Sequence, residues 1–325
     1  MSGNTTLNTT PVIRANVYSQ LMLEGLYDMS FFDGVLYRDV TDFGDGTTLT
    51  IPTVGELPLY DIDPELEPYK IAQLDTGTLS LTINRFKQTG GAISDKLKED
   101  AYLWQEVESR IVPEGMRKIR EAFETDLFAA ANAGQTAADP NTVNGWSHRW
   151  VAGATNTVIS IEDFIYMKLA FDKANVPEEG RVAIVDPVVE ATLNNLTNLV
   201  NVSNNPMFEG LVNSGFARGK RFVRNVYGWD IWVSNRLPLI ASETITGGPQ
   251  AASTAVTTGV ANEFMCLSDD LCKPLMSAWR RMPKVEGDRN VQRERDEFYV
   301  TARWGAGVQR KESLGVIITE VSNYK

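Results

Sequence analysis

Hydrophobic positions along this chain change their period several times, and each change marks an element. TLSLTINRF at 78–86 alternates strictly at Leu79, Leu81 and Ile83, and TTLTIPT at 47–53 supplies a second β-branched run. Together they predict a long two-stranded excursion over 42–89. Its tip carries Pro58, Pro64 and Pro68, which cannot pair as a central strand. From Ser94 to Ala133 the period becomes helical. Ser94 and Asp95 offer an N-cap, an imperfect stripe runs through Leu97, Leu103, Val107 and Ile111, and Pro113 with Gly115 interrupts it. The stripe resumes at Met116, Ile119, Phe123 and Leu127, so the reading is one long kinked helix.

The middle of the chain alternates strand and helix. Ser160 caps a helix over 161–175 with Phe164, Ile165, Leu169 and Met167 as apolar positions. RVAIVDP at 181–187 reads as a buried strand, and Pro187 opens a helix reaching about residue 199. The stretch 220–238, KRFVRNVYGWDIWVSNRLP, predicts two strand halves meeting at a turn or bulge at Tyr227-Gly228. Segments 135–157 and 201–219 read as loops, and 241–261, rich in Ala, Ser, Thr and Gly, as a mobile surface loop. Strands return at 263–274, 279–283 and 298–322. The first forty residues form a polar, then loosely apolar arm with too little local company to bury itself. No internal repeat is visible.

Little chemistry accompanies these elements. Cys266 and Cys272 are the only cysteines and His148 the only histidine, so a Cys/His zinc site cannot be built within the chain. Cofactor and metal are both expected to be absent. His148 lies beside Ser147 in GWSHRW, but a Ser-His dyad is defined by geometry, and a structural or surface role is the expectation. Gly305-Ala306-Gly307 lacks the third glycine and the helix start of a dinucleotide cradle. Asp61 with Asp63, and Asp269 with Asp270, are the acid pairs a hydrolase would need, and both read as solvated loop residues.

The 325 residues carry a net charge of −11, which argues against a dedicated nucleic-acid binder. No apolar run is long enough to span a bilayer, and the polar N-terminus lacks the pattern of a secretory signal. The charge is uneven. Glu56, Asp61, Asp63, Glu65 and Glu67 fall together without an intervening base, whereas Arg218, Lys220, Arg221 and Arg224 form a basic cluster. Two separated patches of opposite sign suit a protein that binds copies of itself, and these nine residues are the candidate inter-subunit contacts.

The order of elements (arm, long hairpin, long helix, α/β middle, returning strands) resembles the major capsid protein of tailed bacteriophages, the Hong Kong 97-like α+β fold. Local patterns carry the resemblance: the strand ending in Asp-Pro at 181–187, the Tyr-Gly strand followed by SNRLP at 227–238, and the Arg-Asp to Gly-Val tail at 295–308. It implies an N-terminal arm (1–41), an extended hairpin loop reaching over a neighbour (42–89), a peripheral domain (90–149 and 263–325) built on a spine helix, and an axial domain (150–262). It also places 241–261 near the capsomer centre. The implied function is self-assembly through pentamers and hexamers into an icosahedral head shell enclosing double-stranded DNA without sequence-specific binding. Only about forty residues precede the hairpin, so the resemblance implies either a separate scaffolding protein or a mature, processed chain. A portal protein and a decoration protein are further implied partners. Location would be the virion, with assembly in the host cytoplasm and no membrane. Two other readings stand beside it: an encapsulin-like compartment shell of the same fold, and a carboxylate-based hydrolase.

Overall fold

The computed structural model describes residues 34–41, 46–55, 57–61, 71, 76–100, 104–133, 141–153, 157–195, 222–248 and 250–321. In chain order the elements are β1 (Tyr37–Asp39), β2 (Thr48–Val54), β3 (Thr76–Thr82), β4 (Arg85–Ser94), α1 (Asp95–Asp100) and α2 (Trp104–Ala133). Then come β5 (Thr142–Val143), β6 (Trp146–Ser147), β7 (Arg149–Val151), α3 (Ile161–Lys173), β8 (Arg181–Val185) and α4 (Pro187–Asn195). The chain closes with β9 (Phe222–Val226), β10 (Trp229–Val233), β11 (Leu239–Gly247), β12 (Gln250–Cys266), β13 (Leu275–Asn290), β14 (Arg295–Val308) and β15 (Leu314–Glu320).

Two sheets organise the molecule. A four-stranded sheet has the order β1-β13-β14-β4, and a seven-stranded sheet has the order β7-β15-β12-β8-β10-β9, with β11 also on β12. β8 shows why the second sheet is central. All five of its residues are buried, Val182 and Ile184 packing on one face with α2 and Ala183 and Val185 on the other with α3 and α4. A strand covered on both faces reads as an unbroken apolar run, which RVAIV is. On the α2 side, Tyr37, Phe123, Trp279 and Trp304 stack around one another, the Phe123 ring centroid standing 4.5 Å from Trp279 and 5.9 Å from Trp304.

The helical stripe at Ile119, Phe123 and Leu127 is buried as expected, and Pro113 sits inside α2. The single helix from Ser94 to Ala133 is corrected at its start. Ser94 ends β4 and its hydroxyl accepts from the Leu97 N–H, capping the short α1, where Leu97 itself is exposed. Leu103 lies outside the described residues. α3 carries the expected Ser160 cap as a full capping box with Asp163. It buries Phe164, Met167, Ala170 and Phe171, however, and leaves Ile165 and Leu169 exposed. The Tyr227-Gly228 turn takes φ of 51° and 88°, the left-handed pair of a tight hairpin, which Gly accommodates without cost.

Several expectations are overturned. Residues 241–261 are not a loop, because β11 and β12 pair antiparallel from Leu239–Val260 to Gly247–Gln250. Ile245, Val256 and Ala261 pack there with Val151, Val316 and Ile318. Threonine is β-branched and suits a strand, so composition alone misled. The stretch 135–157 is not all loop, since β5, β6 and β7 lie in it, and His148 there is fully buried, taking the structural role of the two expected for it. The hairpin excursion ends at Thr82 rather than Thr89, because residues 85–94 form β4 on β14. The boundary at 262/263 falls inside β12, and β15 joins the seven-stranded sheet between β7 and β12 rather than completing the other one.

Candidate inter-subunit surface

The β2–β3 hairpin is the element least supported by its own fold. Among the described residues, β2 and β3 pair with each other and with no other strand. A lone two-stranded ribbon is marginal in water. Its root is anchored. Leu81 and Ile83 are buried against Met276 and Ala278, on the face of the four-stranded sheet opposite α2. Gly305 makes that approach possible: a Cβ there would stand 2.4 Å from the Thr82 carbonyl oxygen and 2.9 Å from the Ile83 Cα. The glycines that cradle no phosphate instead admit the hairpin.

Beyond the root the apolar side chains face solvent. Leu59 is 99% and Ile71 94% exposed, with Val54 and Leu57 also open. Several large apolar side chains exposed along one hairpin mark a surface that a partner can cover. Gly305→Ala is therefore expected to lift the root at a cost of about 1–3 kcal/mol while the sheets stay folded. Limited proteolysis should cut the hairpin faster in that variant. Gly287→Ala, whose new carbon would meet Phe298 at an ordinary 3.4 Å, should not change the rate.

Of the nine candidate contact residues, Asp61 is described and exposed on the hairpin tip, and Arg224 stands on the edge strand β9, opposite Ile231. Glu56, Asp63, Glu65, Glu67, Arg218, Lys220 and Arg221 lie outside the described residues.

The acid–base candidates have ordinary surroundings. Asp270 is exposed and pairs with Lys273 at 2.7 Å, whose ammonium holds its carboxyl below the usual range, and Asp269 Oδ1 accepts from the Asp270 backbone N–H. His148 Nδ1 faces the carbonyls of Asn141 and Trp146 at 3.1 and 3.2 Å, and burial pushes its pKa down. It packs on Phe171 as a core residue. Cys266 is buried and Cys272 half-buried, both free thiols. Among the described residues no cluster of His, Cys, Asp or Glu could hold a metal, and no helix is long and apolar enough to cross a membrane.

Buried acids escaped the reading of the sequence. Asp163 sits at the cap of α3, accepting from Trp150 Nε1 at 3.1 Å and from the Ser160 N–H at 2.9 Å; burial nevertheless raises its pKa. Glu124 meets Arg236, and Glu263 is fully enclosed on β12. The Ser-x-x-Asp spacing at 160–163 was a readable signal for the first. An acid inside the apolar run VANEFMC at 260–266 was a readable signal for the last.

A family model described as phage capsid protein matches residues 92–318, more than two thirds of the chain. Comparison with curated proteins finds no match. Among solved structures, the chain is similar to that of Mycobacterium phage Che8, with TM-score 0.65, 16% identity and coverage of 94% of this chain and 96% of that one. It is similar to the mature capsid of bacteriophage PhiM1, with TM-score 0.66, 16% identity and coverage of 96% and 93%. The cyanophage Pam1 capsid gives TM-score 0.64, 13% identity and coverage of 97% and 98%. At such identities the likeness carries the fold, and the family match favours a phage shell over a cargo compartment or a hydrolase. The chain belongs to the phage capsid protein family, as a major capsid protein with the Hong Kong 97-like α+β fold.

Proposed function

We propose that this subunit assembles through pentamers and hexamers into the icosahedral head shell that encloses the double-stranded DNA of a tailed bacteriophage. The observation that carries the reading is the β2–β3 hairpin, anchored at its root and open along its length, with Leu59 and Ile71 almost wholly exposed. Laid on a neighbour, these residues become buried, and each weak contact is multiplied around a closed shell. The four-stranded sheet with α2 takes the peripheral role, and the seven-stranded sheet, including β12 and β15, takes the axial one. The β11–β12 hairpin takes the position near the capsomer centre. The acidic tip (Glu56, Asp61, Asp63, Glu65, Glu67) and the basic cluster (Arg218, Lys220, Arg221, Arg224) serve as contacts between subunits. A net charge of −11 leaves the wall from gripping the genome and opposing its packing.

A scaffolding protein, a portal and a decoration protein are the partners this role calls for, with assembly in the host cytoplasm and residence in the virion. Negative-stain microscopy of the purified chain should show closed particles or capsomer rings. A monomer at every concentration and salt tried would overturn the proposal.

A further inference from the structure

The face of the four-stranded sheet that turns away from α2 carries a groove of about 520 Å³ lined by Ile83, Asn84, Phe86, Arg280, Arg281 and Arg303. The register explains why the arginines meet there. Phe86, Arg303 and Arg281 are successive Cα partners across β4, β14 and β13. Their neighbours in sequence, Ala302 and Trp304, pack toward α2. A register shift between Trp279 and Arg281 adds a residue to β13, so Arg280 and Arg281 both reach the groove.

Two arginines directly opposite on neighbouring strands repel, and a sheet keeps such a pair at a cost. Among the described residues no carboxylate lines the groove to offset it. Glu286 is the acid whose carboxyl feels Arg281, but it is engaged by Lys284 at 2.8 Å. The protein atom that Arg281 does reach is neutral, the Thr301 hydroxyl at 3.4 Å. A small anion between the strands would turn this repulsion into attraction, and planar guanidinium forks match phosphate oxygens in pairs.

Phe86 narrows the class of anion. Its ring centroid stands 5.9 Å from the Arg281 guanidinium, yet 63% of the residue remains exposed. An open aromatic ring beside paired arginines is a platform for a flat base whose phosphates lie on the cations. The volume falls within the range of small-molecule sites, about 300–1,000 Å³. We propose that the groove binds a nucleoside triphosphate, with Arg281 and Arg303 on the phosphates and Phe86 against the base. The Asn84 side-chain amide and the Arg280 guanidinium complete the lining as further donors. The bound anion would relieve the Arg281–Arg303 repulsion and so stabilise the four-stranded sheet.

The test uses the soluble full chain, with ATP and inorganic tripolyphosphate as probes, by calorimetry and thermal unfolding. Sodium chloride of equal ionic strength is the blank. ATP should bind and raise the thermal midpoint, and tripolyphosphate should bind more weakly. R281Q/R303Q should weaken both by at least about tenfold, the loss of charge-assisted hydrogen bonds at two sites. Its midpoint without ligand should equal or exceed that of wild type, since the repulsion is gone. Phe86→Ala should remove only the advantage of ATP over tripolyphosphate. If the double variant does not fold, R303Q gives the same reading with a smaller loss. No binding above the sodium chloride blank overturns the proposal. So does unchanged ATP affinity in R281Q/R303Q, which would put the nucleotide elsewhere. ATP no tighter than tripolyphosphate overturns it by removing any role for the base. A short DNA duplex that binds more tightly than ATP, and loses that binding in R281Q/R303Q, would assign the groove to nucleic acid and overturn it as well.

Discussion

Arg236→Ala is expected to lower the unfolding free energy of the subunit by about 3–5 kcal/mol, the loss seen when one partner of a buried ion pair is removed. Arg236 stands in the connection between β10 and β11, on the seven-stranded sheet. Its guanidinium reaches across to α2, pairing with Glu124, of which 1% is exposed, and with Glu121 at 3.2 Å. Removing the arginine takes its cation away from the buried Glu124 carboxylate, in a layer containing Phe123, Leu127 and Leu237. The measurement is a denaturant midpoint on unassembled protein, where the loss appears without any contribution from neighbours. Arg236→Lys should recover part of it, since an ammonium restores the charge but not the planar fork that meets two carboxylates. Arg236→Met with Glu124→Gln should recover more, because the buried carboxylate is neutralised together with its cation. By contrast, Arg289→Ala, which breaks solvent-exposed pairs with Asp95 at 2.7 Å and Asp296 at 3.3 Å, should move the midpoint far less, because solvent screens such pairs. If Arg236→Ala proves as mild as Arg289→Ala, the clasp between the α2 layer and the seven-stranded sheet is not electrostatic.

That clasp also shows where reading the sequence stopped. Patterns that repeat within a few residues were legible: the alternation at Leu79, Leu81 and Ile83, the stripe at Ile119, Phe123 and Leu127, the Ser160 cap, the Asp-Pro step before α4 and the Tyr227-Gly228 turn. Arg236 and Glu124 are 112 residues apart, and nothing local pairs them. The face of α3 was misjudged for a related reason. Ile165 and Leu169 form one apolar stripe, and Phe164, Met167 and Phe171 form another. Only the seven-stranded sheet, with Trp229 and Phe264 waiting to meet Phe164 and Phe171, decides which is buried. The stretch 241–261 failed because small residues and threonines suit loops and tightly packed strands alike, and β15, which meets the end of β12, lies at 314–320, far along the chain. For the candidate surface, the composition of the hairpin tip was readable. The cluster of Phe86, Arg281 and Arg303 was not, since these residues become neighbours only through strand register.

Glu263 should make the fold less stable as pH rises. The residue is fully buried on β12, flanked across the sheet by Ile184 and Val316, and neither carboxyl oxygen has a hydrogen-bond partner. Arg149 stands in the same row beyond Val316, about 10 Å away by strand spacing, and donates to Asn132 at 2.7 Å. With no cation beside it among the described residues, burial pushes the Glu263 pKa well above its ordinary 4.5, and the folded subunit holds the carboxyl protonated. The folded state then binds a proton that the unfolded chain releases. Its stability is fully present at and below about pH 4.5, and is lost as pH climbs from there toward the raised folded pKa. Glu263→Gln keeps the shape and cannot ionise. Its thermal midpoint should match wild type at pH 4 and exceed it increasingly toward pH 8. Glu263→Met, which removes the unsatisfied oxygens as well, should be more stable at every pH, by about 1–3 kcal/mol. Burial also raises Asp163 and Asp186, while partners lower Asp296 and Glu297. All four are common to both proteins, so they cancel in the difference. A gap between Glu263→Gln and wild type that stays constant from pH 4 to pH 8 would mean that the carboxylate is charged and compensated inside the sheet. A widening gap would mean that β12 carries its acid neutral, and that alkaline conditions weaken the layer holding α2 against the seven-stranded sheet.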